Sequence, residues 1–115
     1  TATAIYSQAQ GMLAIAAGID YLAPYYNRME AFGIDAAGTL EAMAGFITRS
    51  GSPSKIVAAS FKNVSQVTRA FEVGCQAVTV APSLLSQALA APHITSAVDA
   101  FVADWESVFD TTTLP

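Results

Sequence analysis

The sequence predicts an α/β fold built from four strand-helix units. Four short stretches rich in β-branched and small residues alternate with helical stretches along 115 residues. The order β-α-β-α-β-α-β-α is typical of a parallel sheet. A closed (β/α)₈ barrel needs roughly 200 to 250 residues, so the length predicts a parallel (β/α) half-barrel. We expect one domain over residues 1–115, with βα units over 1–94 and a final helix over 95–109.

Strand-like runs and helical spacing delimit the first half of the chain. The first strand covers Thr1–Tyr6 and leads directly into a helix over Ser7–Gly18, whose terminal glycine is a stop signal. The second strand covers Asp20–Tyr26, and a loop over Asn27–Gly33 follows it. Apolar residues at helical spacing then predict a helix over Ala36–Thr48, which ends before a Ser-Gly-Ser-Pro breaker.

The second half of the chain repeats this alternation. The third strand covers Lys55–Ser60. Asn63 then caps a helix over Val64–Val73, which a glycine ends. Ala77–Ala81 forms the fourth strand, and a short helix over Ser83–Ala90 completes the last unit.

A final helix is predicted from Thr95 or Ser96 to Phe109, after a Pro-His break. It carries one apolar stripe at helical spacing, formed by Val98, Phe101, Val102, Trp105 and Phe109. The stripe requires a partner surface, in this subunit or in another. Aromatic residues of this kind usually pack, so we expect Trp105 in a core rather than in a ligand platform.

Composition restricts the possible partners and the compartment. With 53% hydrophobic and 12% charged residues, much of the surface is expected to contact another chain. A net charge of −4 provides no basic stripe for nucleic acid, and no apolar run approaches the roughly eighteen residues of a membrane span. Cys75 is the only cysteine, which agrees with a cytoplasmic, reducing location and an inert structural thiol. His93 is expected at the surface.

Polar side chains follow the predicted strands where each strand ends: Thr3, Tyr25, Ser60 and Lys62. Alternate strand residues face the same side of a sheet, and parallel folds bind ligands at the carboxyl ends of their strands. We therefore expect these four side chains to line one pocket. The small Ala23 beside them leaves room for a substrate.

Two basic residues and a hydroxyl give this pocket the character of a phosphate site. Arg28, Lys62 and Ser60 together offer a guanidinium, an ammonium and a neutral donor, a set suited to a phosphate monoester. Each residue can also have a purely structural role. The cations can be solvated surface charges, and Thr3 can simply fill space. Tyr25 can be a packing residue instead of a general acid/base.

Two sequence runs are highly specific: Ala-Pro-Tyr-Tyr-Asn-Arg, which ends at Arg28, and Ala-Ala-Ser-Phe-Lys, which ends at Lys62. Shorter runs accompany them at Ala2–Tyr6, Gln10-Gly11, Gly74-Cys75, Val78-Thr79 and Asp104-Trp105. Together, from Thr1 to about Leu114, they closely resemble the C-terminal half of the transaldolase family, in its fructose-6-phosphate aldolase-like branch.

The resemblance implies the C-terminal four βα units of a TIM barrel that works through a Schiff base, without metal or cofactor. A lysine amine condenses with a ketose, and the iminium accepts the electrons of the C–C bond. Thr3 matches the threonine that helps to hold the catalytic water, and Tyr25 matches the acid/base tyrosine. Arg28 and Ser60 match residues that bind the sugar phosphate, and Lys62 lies where relatives carry a second basic ligand.

The resemblance also implies that part of the site lies elsewhere. Ala23 and Asn27 line the pocket, but the Schiff-base lysine belongs to the strand before Thr1 and is not in this sequence. Lys62 is a poor substitute, although spacing alone does not rule it out. We therefore expect an N-terminal half as a partner, in a companion chain or a missing segment. A homo-oligomer through the C-terminal helix is also expected, because the family tends to form rings.

Two functions stay open for the half-barrel. It is either part of an aldolase or transaldolase, or a non-catalytic module for sugar-phosphate binding or oligomeric assembly. A third class, an N-terminal-nucleophile hydrolase that uses Thr1, is indicated only by the terminal threonine.

Overall fold

The fold is an α/β arrangement of four parallel strands that alternate with helices. The computed structural model describes residues 1–90 and 92–109, apart from the side chains at positions 92 and 109. Within these ranges the strands form one sheet in chain order, β1-β2-β3-β4, and every neighbouring pair is parallel. This topology confirms the predicted fold class and is consistent with half of a TIM barrel.

The strands are short, and the helices carry most of the regular structure. The strands are β1 (Ala2–Ile5), β2 (Tyr21–Pro24), β3 (Lys55–Ala58) and β4 (Ala77–Val78). The helices are α1 (Gln8–Ala16), α2 (Tyr26–Ala31), α3 (Ala36–Ser50), α4 (Val64–Glu72), α5 (Pro82–Leu89) and α6 (Pro92–Phe109).

Polar caps determine where three of the helices begin. The side chains of Ser7, Asp35 and Asn63 each accept a hydrogen bond from the backbone N–H three residues later, at the starts of α1, α3 and α4. These contacts satisfy N–H groups that a helix start otherwise leaves unpaired. The cap predicted at Asn63 is therefore confirmed.

Helix α2 replaces the loop predicted over Asn27–Gly33. Its first two N–H groups donate to carbonyl groups of the two residues that follow β3. Tyr26 N donates to Ala59 O at 2.8 Å, and Asn27 N donates to Ser60 O at 2.7 Å. A six-residue helix is too short to show an apolar period, so the sequence pattern did not reveal it. Arg28 consequently lies on a helix and not on a loop.

Within residues 1–90 and 92–109, two non-glycine residues have left-handed backbones, and both interrupt the strand pattern. Ala4 has φ +55°, and the β1–β2 register shifts between Thr3 and Ile5. Ser60 has φ +63° and lies beyond β3, which ends at Ala58. The prediction that alternation carries Ser60 and Lys62 along one strand face is therefore wrong, because the chain has already left the sheet.

The core lies between the sheet and the helices. Its largest fully buried side chains are Leu22, Pro24, Met29, Leu40, Met43 and Ile56. Helix α1 contacts α3 closely at Gly11: a Cβ there would lie 2.5 Å from Met43 Sδ and 2.7 Å from Met43 Cγ. The absence of a side chain at Gly11 thus permits this close approach.

Gly11→Ala is expected to be less stable than Gly45→Ala by about 1–3 kcal/mol, the usual cost of overpacking a core. Both glycines lie inside helices, so both variants gain the same helix propensity of about 1 kcal/mol. The added methyl at Gly45 meets only the end of the flexible Arg49 side chain, whereas at Gly11 it meets buried Met43. Urea unfolding of the two variants measures the difference, and equal stabilities would contradict this account of the helix contact.

Helix α6 begins at Pro92, a few residues before the predicted Thr95 or Ser96. In its predicted stripe, Val98, Phe101 and Val102 are exposed, with Phe101 at 69%, and Trp105 is partly buried. The side chain of the fifth member, at position 109, falls outside the described residues. Among the described helices, none combines the length and apolarity needed to cross a membrane.

Candidate functional site

The neighbouring strands β1 and β2 bring together the two residues predicted to be catalytic, Thr3 within β1 and Tyr25 directly after β2. Thr3 Oγ1 and Tyr25 Oη lie 3.0 Å apart, and either hydroxyl can donate the hydrogen bond. Thr3 also pairs in register with Ala23, the small residue predicted to leave room for a substrate. Tyr25 directly follows β2 and forms a parallel β-bridge with Ala59, which follows β3. This bridge holds the Tyr25 backbone at the carboxyl ends of the two strands.

Arg28 reaches this pair from α2. Its Cζ lies 5.4 Å from the centroid of the Tyr25 ring, within cation–π range. A hydrogen bond with the Tyr6 side chain is the main cause that raises the pKa of Arg28. Arg28 is exposed and forms no ion pair within the described ranges, so its charge is available to a ligand.

Tyr6 is a member of the site that sequence reasoning missed. Its ring meets the Tyr25 ring edge-on at 5.8 Å and the Phe32 ring at 6.1 Å. Its backbone N–H donates to Gln10 Oε1 at 2.8 Å, which fixes the turn between β1 and α1. The available signal was its position directly after β1, equivalent to that of Tyr25 after β2.

Ser60 and Lys62 lie on the segment between β3 and α4, and they are linked to α2 through the backbone. Ser60 O accepts from Asn27 N, and Lys62 N donates to Gln66 Oε1 at 2.7 Å. The described part of the chain supplies no hydrogen bond to the Ser60 hydroxyl or the Lys62 ammonium. The predicted pocket residue Asn27 is partly buried, and its Oδ1 accepts from Gln66 Nε2 at 3.0 Å.

The remaining reactive side chains lie outside this cluster. Cys75 is 7% exposed, and burial raises the pKa of its thiol to about 12, so the thiol stays protonated at neutral pH. This environment agrees with the inert structural role predicted for Cys75. His93 is exposed on α6, as predicted. Within the described ranges no cluster of three or more His, Cys, Asp or Glu residues is arranged to hold a metal.

Comparisons with known proteins show which family this chain is similar to. A sequence model described as Transaldolase/Fructose-6-phosphate aldolase matches residues 1–113. A Streptococcus pneumoniae protein (strain ATCC 700669 / Spain 23F-1) named "Probable fructose-6-phosphate aldolase" is 55% identical over 105 residues. The match covers 91% of this chain and 47% of that protein, so the chain spans about half the length of this curated relative. The chain therefore belongs to the transaldolase/fructose-6-phosphate aldolase family.

Proposed function

We propose that this chain supplies the acid/base and phosphate-binding half of a Schiff-base active site. The complete enzyme would cleave or transfer a C–C bond of a ketose phosphate. The observation that carries the proposal is the 3.0 Å contact between Thr3 Oγ1 and Tyr25 Oη on neighbouring strands, beside Arg28. The name of the relative, a probable fructose-6-phosphate aldolase, favours fructose 6-phosphate as the first substrate to test.

Tyr25 and Thr3 are suited to proton transfer in such a reaction. When the C–C bond of a ketose iminium breaks, its electrons move to the iminium nitrogen and the adjacent hydroxyl gives up a proton. The Tyr25 side chain can accept that proton as a phenolate and return it as a phenol, directly or through one water. Because either hydroxyl of the pair can donate, the contact does not fix the direction of transfer.

Three side chains in this chain are proposed to bind the phosphate. Arg28, Ser60 and Lys62 supply two cations and a hydroxyl, and none of them is committed to an ion pair within the described ranges. A guanidinium forms paired, charge-assisted hydrogen bonds to phosphate oxygens, so Arg28 is assigned the dominant contact.

The Schiff-base lysine is proposed to come from an N-terminal half, in a companion chain or a missing segment. Strands β1 and β4 are the edges of the described sheet, and each has one neighbour. A closed TIM barrel would pair both edges with further strands. The coverage of 47% of the relative supports this assignment.

Helix α6 supports a further part of the proposal, self-association. Its exposed apolar residues Val98, Phe101 and Val102 form a face that a second copy could bury. The same observation favours the alternative function, a non-catalytic module for assembly or sugar-phosphate binding. A cytoplasmic location is proposed from the single, protonated Cys75.

Borohydride trapping with fructose 6-phosphate, followed by mass spectrometry of every polypeptide, tests the function. Reduction converts a Schiff base into a stable adduct, so the modified lysine identifies the half that carries it. We expect the adduct on the N-terminal half and none on Lys55 or Lys62. An adduct on Lys62 would contradict the division of roles, and no adduct on any chain would favour the non-catalytic module.

Ser60→Ala and Ser60→Gly separate the role of the hydroxyl from that of the backbone. Both variants are expected to weaken fructose 6-phosphate binding by about tenfold, because each removes one hydrogen bond to a charged group. Ser60→Gly is expected to be the more stable variant by about 0.5–1 kcal/mol, because Ser60 has φ +63°. Titration calorimetry and urea unfolding provide the two measurements. Normal binding by Ser60→Gly would exclude a phosphate contact from the hydroxyl.

A further inference from the structure

We propose that Gln66 is a positioning residue that sets the distance between the two halves of the phosphate site. One half is Arg28 on α2, and the other is the segment with Ser60 and Lys62. This inference rests on the proposed function, and it concerns a residue that contributes no charge to the ligand.

The Gln66 side chain is buried, with 7% exposure, and its whole amide is bonded to groups on both halves. Its Oε1 accepts from the backbone N–H of Lys62 at 2.7 Å. Its Nε2 donates to Asn27 Oδ1 at 3.0 Å and to Glu30 Oε2 at 3.1 Å, and both acceptors lie on α2. One amide therefore connects the α4 start, the segment before it and helix α2.

These partners fix the orientation of the amide. The Nε2 group faces two acceptor oxygens and Oε1 faces an N–H, so a flipped amide would place oxygen against oxygen at two contacts. The two amide protons face two acceptors. Only a side chain of this length that has one acceptor and two donors can bond all three partners. Glutamine meets that requirement, whereas leucine and glutamate of similar size do not.

Gln66 also departs from the usual capping arrangement. It is the third residue of α4, and its backbone N–H donates to Asn63 Oδ1 at 2.9 Å. In a capping box the side chain at this position returns to the cap residue's own N–H. Here it reaches one residue further back, to Lys62, and so holds the backbone of a proposed phosphate ligand.

The same junction has backbone and apolar contacts that surround the amide. Asn27 N donates to Ser60 O at 2.7 Å, and the Tyr26 ring stacks on Phe61 with centroids 5.6 Å apart. These contacts keep α2 and the segment together when Gln66 changes. The loss of the Gln66 bonds is therefore expected to alter their spacing without separating them.

Gln66→Leu in the complete enzyme is expected to raise the Kd for fructose 6-phosphate by about tenfold, because small displacements of binding groups are costly. The Kd for unphosphorylated fructose should stay within about twofold of wild type, because Gln66 is bonded to the segments that carry the proposed phosphate ligands. Gln66→Glu keeps the acceptor for Lys62 N–H but opposes Glu30, so it should show the same selective loss. Equilibrium titration of both sugars gives the ratio.

A reciprocal exchange provides the control for this contact. Glu30→Gln alone retains an acceptor for Gln66 Nε2 and should bind like wild type. In the double variant Glu30→Gln/Gln66→Glu, the side chain at position 30 donates the hydrogen bond and the side chain at position 66 accepts it. This variant should recover most of the affinity that Gln66→Glu loses.

The outcomes separate this inference from the proposed function. Equal weakening of both sugars by Gln66→Leu, or no recovery in the exchanged double variant, would overturn the positioning role. Arg28→Ala, measured alongside, should be selective for the phosphorylated sugar. If it is selective and the Gln66 variants are not, only the positioning role fails. If Arg28→Ala is itself unselective, the phosphate site fails and the role of Gln66 fails with it.

Discussion

Tyr25→Phe in the complete enzyme is expected to lower kcat by about 10²- to 10⁴-fold, the usual contribution of one acid/base group. The hydroxyl is the only group removed, and it forms the 3.0 Å contact with Thr3 Oγ1. The ring is retained, so its edge contact with Tyr6 and its position beside Arg28 remain. KM should change little, because the phosphate ligands are untouched. Steady-state kinetics with fructose 6-phosphate measures both constants.

Thr3→Val is the matched control, because it removes the other hydroxyl of the same contact and keeps the side-chain shape. If Tyr25 and Thr3 act as one unit, the double variant should lose little more activity than Tyr25→Phe alone. A Tyr25→Phe variant with normal kcat and a lowered melting temperature would contradict the catalytic role. Tyr25 would then be a packing residue, the alternative that the sequence left open.

Arg28→Ala is expected to weaken fructose 6-phosphate binding by about 10- to 100-fold and fructose binding far less, because one charge-assisted contact to phosphate is lost. Arg28 is exposed, lies beside Tyr25 and forms no ion pair within the described ranges, so its charge is uncommitted. Titration of both sugars against the complete enzyme measures the ratio of the two effects.

Two further variants sharpen the test of Arg28. Arg28→Lys keeps the charge but not the paired guanidinium contacts, and should have an intermediate affinity. Arg49→Ala removes an exposed arginine near the end of α3 and should leave both affinities unchanged. Equal weakening of the two sugars by Arg28→Ala would contradict the phosphate assignment.

Local signals predicted most of the fold. Helix caps such as Asn63 and stops such as Gly18 act within a few residues, so sequence reasoning found α1, α3 and α4 close to their observed bounds. Helix α2 was missed because it depends on bonds from Tyr26 and Asn27 to carbonyls that follow β3. Those partners are distant in sequence and leave no local pattern.

Sequence reasoning placed two of the candidate site residues together correctly. Thr3 pairs in register with Ala23 on the neighbouring strand, and Tyr25 follows two residues later, so the two hydroxyls meet although the register shifts after Thr3. Ser60 was assigned to a strand face, but its left-handed backbone turns the chain out of the sheet. Gln66 was not identified at all, because its partners on α2 are 36 and 39 residues away in sequence. Burial and hydrogen bonding at that range are properties of the folded chain.

The order of the strands is also the order in which the parts of the site are synthesised. Because the sheet follows chain order, each of β2, β3 and β4 pairs with the strand synthesised just before it. At about 5–20 residues per second, β3 is completed about 2–7 seconds after β2. Thr3 and Tyr25 are synthesised in advance of Ser60, Lys62 and Gln66. The bridge from Ala59 that holds the Tyr25 backbone arrives only with the phosphate-binding segment, so both parts of the site depend on the same stretch of chain after β3.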